Sequence, residues 1–116
     1  MEIQVSKQLN EELIKLQKLI KQATGKHEAK RKLLVELTTI TICDGGEGEY
    51  SKTYTAIDLS ESVLISYTFD PINFNIITRI KKATGLSSHQ VINALALAAL
   101  PDYRAKYDTI LSLINN

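Results

Sequence analysis

The segment from Thr84 to Leu95 most constrains how this chain can fold, because the end of one helix and the start of another fall within it. Gly85 is the residue type that ends helices in a left-handed conformation. Ser87, with Gln90 three positions later, has the spacing of a capping box. We therefore predict a helix, a tight turn and a second helix. The first of these helices would begin after Asp70, an N-cap residue followed by proline.

An earlier segment ends in nearly the same way. Residues 20–25 and 80–85 agree at five of six positions, at an offset of sixty. The agreement does not extend further, since Arg31 in the first copy falls opposite the apolar position Val91. We interpret this repeated sequence as two helices that end alike in a glycine cap, which is a stronger explanation than a duplicated unit.

Composition favours one small domain covering residues 1–116. A chain of 116 residues with 44% hydrophobic residues can bury one modest core. The single cysteine, Cys43, cannot form an internal disulfide, which favours an intracellular compartment. No apolar run is long enough to span a membrane, and no signal peptide is indicated. We therefore expect a cytoplasmic protein without membrane association.

Residues 1–33 are predicted to form a basic helical arm. They carry eight basic and four acidic residues, a net charge of +4, whereas the remainder of the chain carries −3. Apolar residues recur here at helical steps of three and four, which indicates an amphipathic helix ending near Gly25. That apolar stripe consists of Leu9, Leu13, Leu16, Ile20 and Ala23. A short basic helical turn is expected to follow from Lys26 to Leu34.

Residues 34–69 are predicted to form a three-stranded antiparallel β-meander. The first run, Val35–Cys43, is rich in β-branched residues, and a glycine-rich loop at 44–49 separates it from a second run at 50–59. The third run, Val63–Phe69, alternates between apolar and polar positions, as a strand with one buried face does.

Residues 70–116 are predicted to be helical. Pro101 would end the second of these helices, and residues 102–114 would form a third. The predicted fold class is therefore α+β, with an N-terminal amphipathic helix, a three-stranded antiparallel β-meander and three C-terminal helices.

From Val63 to Ala99 the chain runs through a strand, a helix, a glycine-x-serine turn and a second helix. The turn is Gly85-Leu86-Ser87, and the second helix carries the apolar pair Val91-Ile92. These 37 residues resemble the ribbon-helix-helix family of small DNA-binding repressors. In that family strands from two chains form a ribbon that enters the major groove. The resemblance implies a homodimer that regulates transcription, with base contacts from outward strand residues. Carried over to this chain, these are Leu64, Ser66 and Thr68.

The resemblance also implies phosphate contacts. Ser87 and Ser88 stand at the start of the second helix, where free N–H groups and the positive end of the helix dipole bind anions. The basic arm would add attraction to phosphate. Its contributing residues are Lys26, Lys30, Arg31 and Lys32. The same turn spacing also fits a helix-turn-helix that presents Ser88, His89 and Asn93 to bases. Two helices joined by a capped turn can also simply build a core.

Other motifs predict neither an enzyme nor a metal or cofactor site. The loop carboxylates Asp44, Glu47 and Glu49 could bind a hard cation, but their spacing matches no EF-hand. His89 beside two serines within one helical turn does not make a catalytic triad. Cys43 has no neighbouring cation in sequence to lower its pKa, so an inert, half-buried thiol is expected.

The leading hypothesis is a small non-enzymatic DNA-binding protein that acts as a repressor-like dimer. The alternative is a protein-interaction or inhibitor module, an accessory or mobile-element protein, whose partner binds the stripe from Leu9 to Ala23. A third possibility is a small-ligand binder with a pocket between sheet and helices. The pocket would be lined by Tyr50, Tyr54, Tyr67 and Arg79.

Overall fold

The part of the chain that the structure describes runs twice through the order strand, helix, helix. We describe residues 1–44 and 56–115 from a computed structural model. In chain order the elements are β1 (Glu2–Val5), α1 (Lys7–Thr24), α2 (Lys30–Asp44), β2 (Val63–Ser66), α3 (Pro71–Thr84) and α4 (Ser88–Asn115). No helix among the described residues is long and apolar enough to cross a membrane.

The two strands pair with each other in antiparallel orientation. Gln4 lies opposite Leu64, and Ile3 lies opposite Ile65. Ile3, Val5 and Ile65 are buried against the helices, so one face of this ribbon belongs to the core. The predicted strand Val63–Phe69 is shorter in the structure, since β2 ends at Ser66, and Val63, predicted to face inward, is 40% exposed. The predicted three-stranded meander is wrong, since the described part of the chain has a two-stranded sheet and is mostly helical.

The predicted first strand of the meander, Val35–Cys43, lies in helix α2. Its buried residues recur at helical spacing. They are Leu33, Leu34, Leu37, Thr38, Thr41 and Ile42. β-Branched residues cost a helix less than about 0.7 kcal/mol each, whereas burying a large apolar side chain contributes about 1.5–3 kcal/mol. Packing therefore outweighs local propensity here. Most of the predicted loop and second strand, residues 45–55, lies outside the described residues, and 56–59 form no strand.

Helix α1 matches the predicted amphipathic helix. Its N-cap is Ser6, whose hydroxyl accepts the N–H of Leu9 at 3.1 Å. All five residues of the apolar stripe are buried. They pack into the same core as the other elements. Residues 1–33 therefore pack on the rest of the chain, because α1 contributes to the core and β1 to the sheet.

The two first helices end alike, as the sequence indicated. Gly25 and Gly85 both have φ of 75°, and each donates its N–H to the carbonyl four residues earlier at 2.8 Å. The threonine before each glycine, Thr24 or Thr84, donates its hydroxyl to the carbonyl four residues back. The repeated sequence thus lies at the same position in both halves of the chain, which is the end of the first helix after the strand.

The C-terminal helices begin as predicted but do not end as predicted. Asp70 caps α3 by accepting the N–H of Asn73 at 2.8 Å, and Ser87 caps α4 by accepting the N–H of Gln90 at 3.3 Å. The expected helix end at Pro101 is wrong, since α4 runs through Pro101 to Asn115 and has 28 residues in all. Proline inside a helix costs about 3 kcal/mol. Beyond it, buried Tyr103 packs into the core and so holds the chain helical.

Candidate nucleic-acid interface

The ribbon has one face that the helices leave uncovered. Glu2 and Gln4 on β1 and Leu64 and Ser66 on β2 are all exposed on it. Leu64 is 62% exposed, which is unusual for a leucine. Thr68, just beyond the end of β2, is exposed as well. The three residues predicted to contact bases are therefore all accessible.

Helix α4 begins beside β1. The backbone N–H of Gln4 donates to Nδ1 of His89 at 3.0 Å. The Asn93 side chain accepts the N–H of Ser6 at 2.8 Å and donates to the carbonyl of Gln4 at 2.8 Å. Asn93 is fully buried, so the helix-turn-helix alternative, which needs this residue on the surface, does not fit the structure.

Helix α2 begins beside β2. A cleft of about 290 Å³ separates the first turns of α2 from the strand. Its lining residues are Arg31, Lys32, Val35, Glu36, Ser66 and Thr68. Two residues predicted to bind phosphate therefore face two residues predicted to contact bases. Helix α2 thus begins next to β2, and α4 begins next to β1. The second helix of each half therefore packs beside the strand of the other half.

The basic side chains near the start of α2 differ in their hydrogen bonds, ion pairs and exposure. Lys32 lies 3.1 Å from the carboxylate of Glu28, whose hydrogen bond and charge raise the pKa of Lys32. Because this pair is largely exposed, it contributes little to stability. Lys30 donates to the side chain of Asn10 at 2.9 Å. Arg31 and Lys26 are exposed, so the basic charge at the start of α2 is accessible to an anion.

The start of α4 is covered by the segment that leads into β2. The Gln90 side chain accepts the N–H of Ile57 at 2.5 Å and donates to its carbonyl at 2.7 Å. Gln90 therefore holds this segment and does not complete the predicted capping box. The cleft next to it, of about 300 Å³, contains Lys7 paired with Glu61 at 3.3 Å. Its lining residues are Ser6, Lys7, Gln8, Glu11, Ile57, Asp58 and Glu61.

The outward positions Glu2 and Gln4 did not figure in the sequence-based prediction. The alternation of polar and apolar residues in Glu2-Ile3-Gln4-Val5 was a usable signal, since it is typical of a half-buried strand. The run is only four residues long, at the start of the chain and directly before a strongly helical pattern.

The other candidate sites are placed as follows. Cys43 is exposed at the end of α2, not half-buried on a strand. Of the loop carboxylates only Asp44 lies within the described residues, among which no cluster of His, Cys, Asp and Glu could hold a metal ion. Tyr67 is 1% exposed and forms part of the core. Tyr50 and Tyr54 lie outside the described residues.

An exposed polar ribbon between two helix N-termini can form hydrogen bonds and apolar contacts with a groove whose rims are anionic. The N-terminus of a helix carries a partial positive charge and unpaired N–H groups. At α2 this partial charge is reinforced by Arg31 and Lys32. Comparison of the chain with protein-family models, curated proteins and solved structures finds no match in any of the three.

Proposed function

We propose that this chain binds duplex DNA, with the outward face of its β-ribbon in the major groove and the start of α2 on the phosphate backbone beside it. The observation that carries the proposal is the ribbon itself, whose strands β1 and β2 expose one face between two helix N-termini. A two-stranded ribbon fits the major groove, which is about 12 Å wide. A repressor-like role would follow from occupation of the site.

The repeated element order supports the resemblance to the ribbon-helix-helix family. That resemblance rested on the C-terminal half, whereas Glu2–Asp44 has the same order of strand and two helices. In that family the two strands of the ribbon come from two chains, and here both come from one. The homodimer expected from the sequence is therefore not needed to build the ribbon.

Electrostatic attraction would come from the cleft at α2. The ribbon face itself has no lysine or arginine and includes the acidic Glu2. Arg31, Lys32 and Lys26 therefore have to supply most of the phosphate contacts. Each contact to duplex DNA steepens the dependence of log K on log salt by about 0.9. Two or three contacts predict a slope of about −2 to −3 and measurable binding chiefly at low salt.

The test is a fluorescence-anisotropy titration of a labelled mixed-sequence duplex at stepped salt concentrations. Arg31→Gln should weaken binding and make the salt slope shallower by about one. Lys82→Gln is the matched control, because it removes the same charge from an exposed position in the last turn of α3, a helix that contributes no residue to the cleft at α2. No binding of any duplex at low salt, or equal effects of both variants, would refute the proposal.

A protein partner is the second candidate, and two exposed side chains favour it. Ile72 and Phe74 in the first turn of α3 are 69% and 54% exposed. The stripe from Leu9 to Ala23, proposed from the sequence as the partner surface, is buried within the chain. A stoichiometric partner recovered from cells despite nuclease treatment, and lost with Ile72→Ser and Phe74→Ser, would support this second candidate.

A further inference from the structure

The two strands of the ribbon present different chemistry on the outward face. β1 contributes Glu2 and Gln4, and β2 contributes Leu64 and Ser66. No two of these side chains are identical, although the backbone repeats its element order. The face therefore lacks the two-fold symmetry in side chains that two identical chains would give it.

Gln4 and Leu64 lie side by side as one of the two outward pairs of this face. The backbones of Met1 and Tyr67 bond to each other in both directions, at 3.3 and 2.7 Å. Because hydrogen-bonded and non-bonded pairs alternate in an antiparallel ladder, Gln4 and Leu64 form a non-bonded pair, in which side chains are closest. Their Cβ atoms are expected to lie about 5 Å apart. Both side chains can thus contact the same or adjacent base pairs.

These two side chains suit an A·T pair. A glutamine amide donates to N7 and accepts from N6 of adenine, and an apolar side chain contacts the thymine methyl group. Glu2, at the next outward position of β1, can accept a hydrogen bond from N4 of cytosine, whereas Ser66 opposite it can donate or accept with any base. The two strands therefore differ in base preference at this second outward pair as well.

The two flanks of the ribbon also differ in charge. Beside β2 the cleft at the start of α2 contains Arg31 and Lys32 together with Glu36. The cleft on the other flank lies at the start of α1, directly after β1, and contains Lys7 together with Glu11, Asp58 and Glu61. Two cations and one carboxylate attract phosphate on the α2 side, whereas three carboxylates and one lysine repel it on the other flank.

We propose that one chain recognises a single non-palindromic DNA site that contains an A·T pair read by Gln4 and Leu64, with phosphate contacts on the α2 side. This inference rests on the DNA-binding function proposed above. Two-fold symmetric proteins read palindromic sites, because both halves of the protein make the same contacts. The unequal ribbon face and unequal flanks of this chain remove that equivalence.

The test is selection of bound sequences from a random duplex library with the full chain, followed by sedimentation to count chains per duplex. We expect a non-palindromic consensus bound by one chain. Gln4→Ala should reduce the preference for A·T at one position by about tenfold or more, and should weaken binding to duplexes that contain this pair more than binding to duplexes that lack it. Gln22→Ala, at an exposed position near the end of α1, serves as control, and circular dichroism of both variants checks that they fold.

The outcomes separate this inference from the function on which it rests. A palindromic consensus bound by two chains, binding without any sequence preference, or a Gln4→Ala variant that weakens all duplexes equally would overturn the inference and leave DNA binding intact. Failure to bind any duplex at low salt would overturn both.

Discussion

Replacing Asn93 with alanine should separate β1 from α4. Asn93 is fully buried, and its side chain bridges the N–H of Ser6 and the carbonyl of Gln4, each at 2.8 Å. It also donates to the carbonyl of His89 at 2.7 Å, which lies one helical turn earlier in α4. The alanine variant would leave the carbonyl of Gln4 in β1 and the N–H of Ser6, directly after β1, without their hydrogen-bond partner.

The expected loss of stability can be worked from these bonds. A buried backbone group left without a hydrogen bond costs about 1–3 kcal/mol. The N–H of Ser6, a residue that is 2% exposed, would carry this full cost. The carbonyl of Gln4 would cost less, because Gln4 is exposed and water can hydrogen-bond to the carbonyl. We expect Asn93→Ala to lower the free energy of unfolding by about 3 kcal/mol, a large part of the stability of a small domain.

Urea unfolding followed by circular dichroism measures this loss. With a denaturant slope of about 1.5 kcal/mol/M, the unfolding midpoint should fall by about 2 M. Asn75→Ala on the exposed surface of α3 is the matched control and should change stability by less than about 0.5 kcal/mol. If Asn93→Ala costs less than about 1 kcal/mol, the Asn93 bridge does not hold β1 to α4, and the reasoning is wrong.

Three further predictions concern the caps, the core and alkaline stability. Gly25→Ala and Gly85→Ala should each lower the free energy of unfolding by about 1 kcal/mol, because φ is 75° at both positions and no atom crowds an added Cβ. Thermal or urea unfolding measures these losses, and clearly unequal losses would contradict equivalent caps. Leu16→Ala should cost about 2–5 kcal/mol, whereas Leu113→Ala, at a 71% exposed position, should cost almost nothing. The pKa of Tyr103 is raised mainly by burial and secondly by its hydrogen bond to the carboxylate of Glu36 in α2. Because the folded protein then holds this proton more tightly than the unfolded chain, stability should fall above about pH 10, and less steeply in Tyr103→Phe, as urea midpoints at several pH values would show.

The helix ends could be predicted because their causes are local. Asp70, Ser87 and the two cap glycines act on backbone groups within four residues, and all four lie where the sequence indicated. The amphipathic stripe of α1 was predictable for a similar reason, since five apolar residues at helical spacing can be buried together on one face only.

The candidate interface was predictable only in part. Leu64, Ser66 and Thr68 are exposed as the alternation in their strand indicated. Their neighbours Arg31 and Lys32 lie more than thirty positions earlier in the chain, and no local pattern links them. Gln4 became a candidate only through its pairing with Leu64.

The sequence by itself determined where α3 and α4 begin, where α1 and α3 end, and which face of α1 and of β2 is apolar, since caps and periodicity act over a single turn or strand. The tertiary structure decided the state of Val35–Cys43, which is helical because that arrangement buries the apolar face of α2, including Leu34, Leu37 and Ile42. It also decided that α4 continues through Pro101 and that β1 pairs with β2. These outcomes depend on contacts between residues tens of positions apart, whose free energies exceed the local preferences they override.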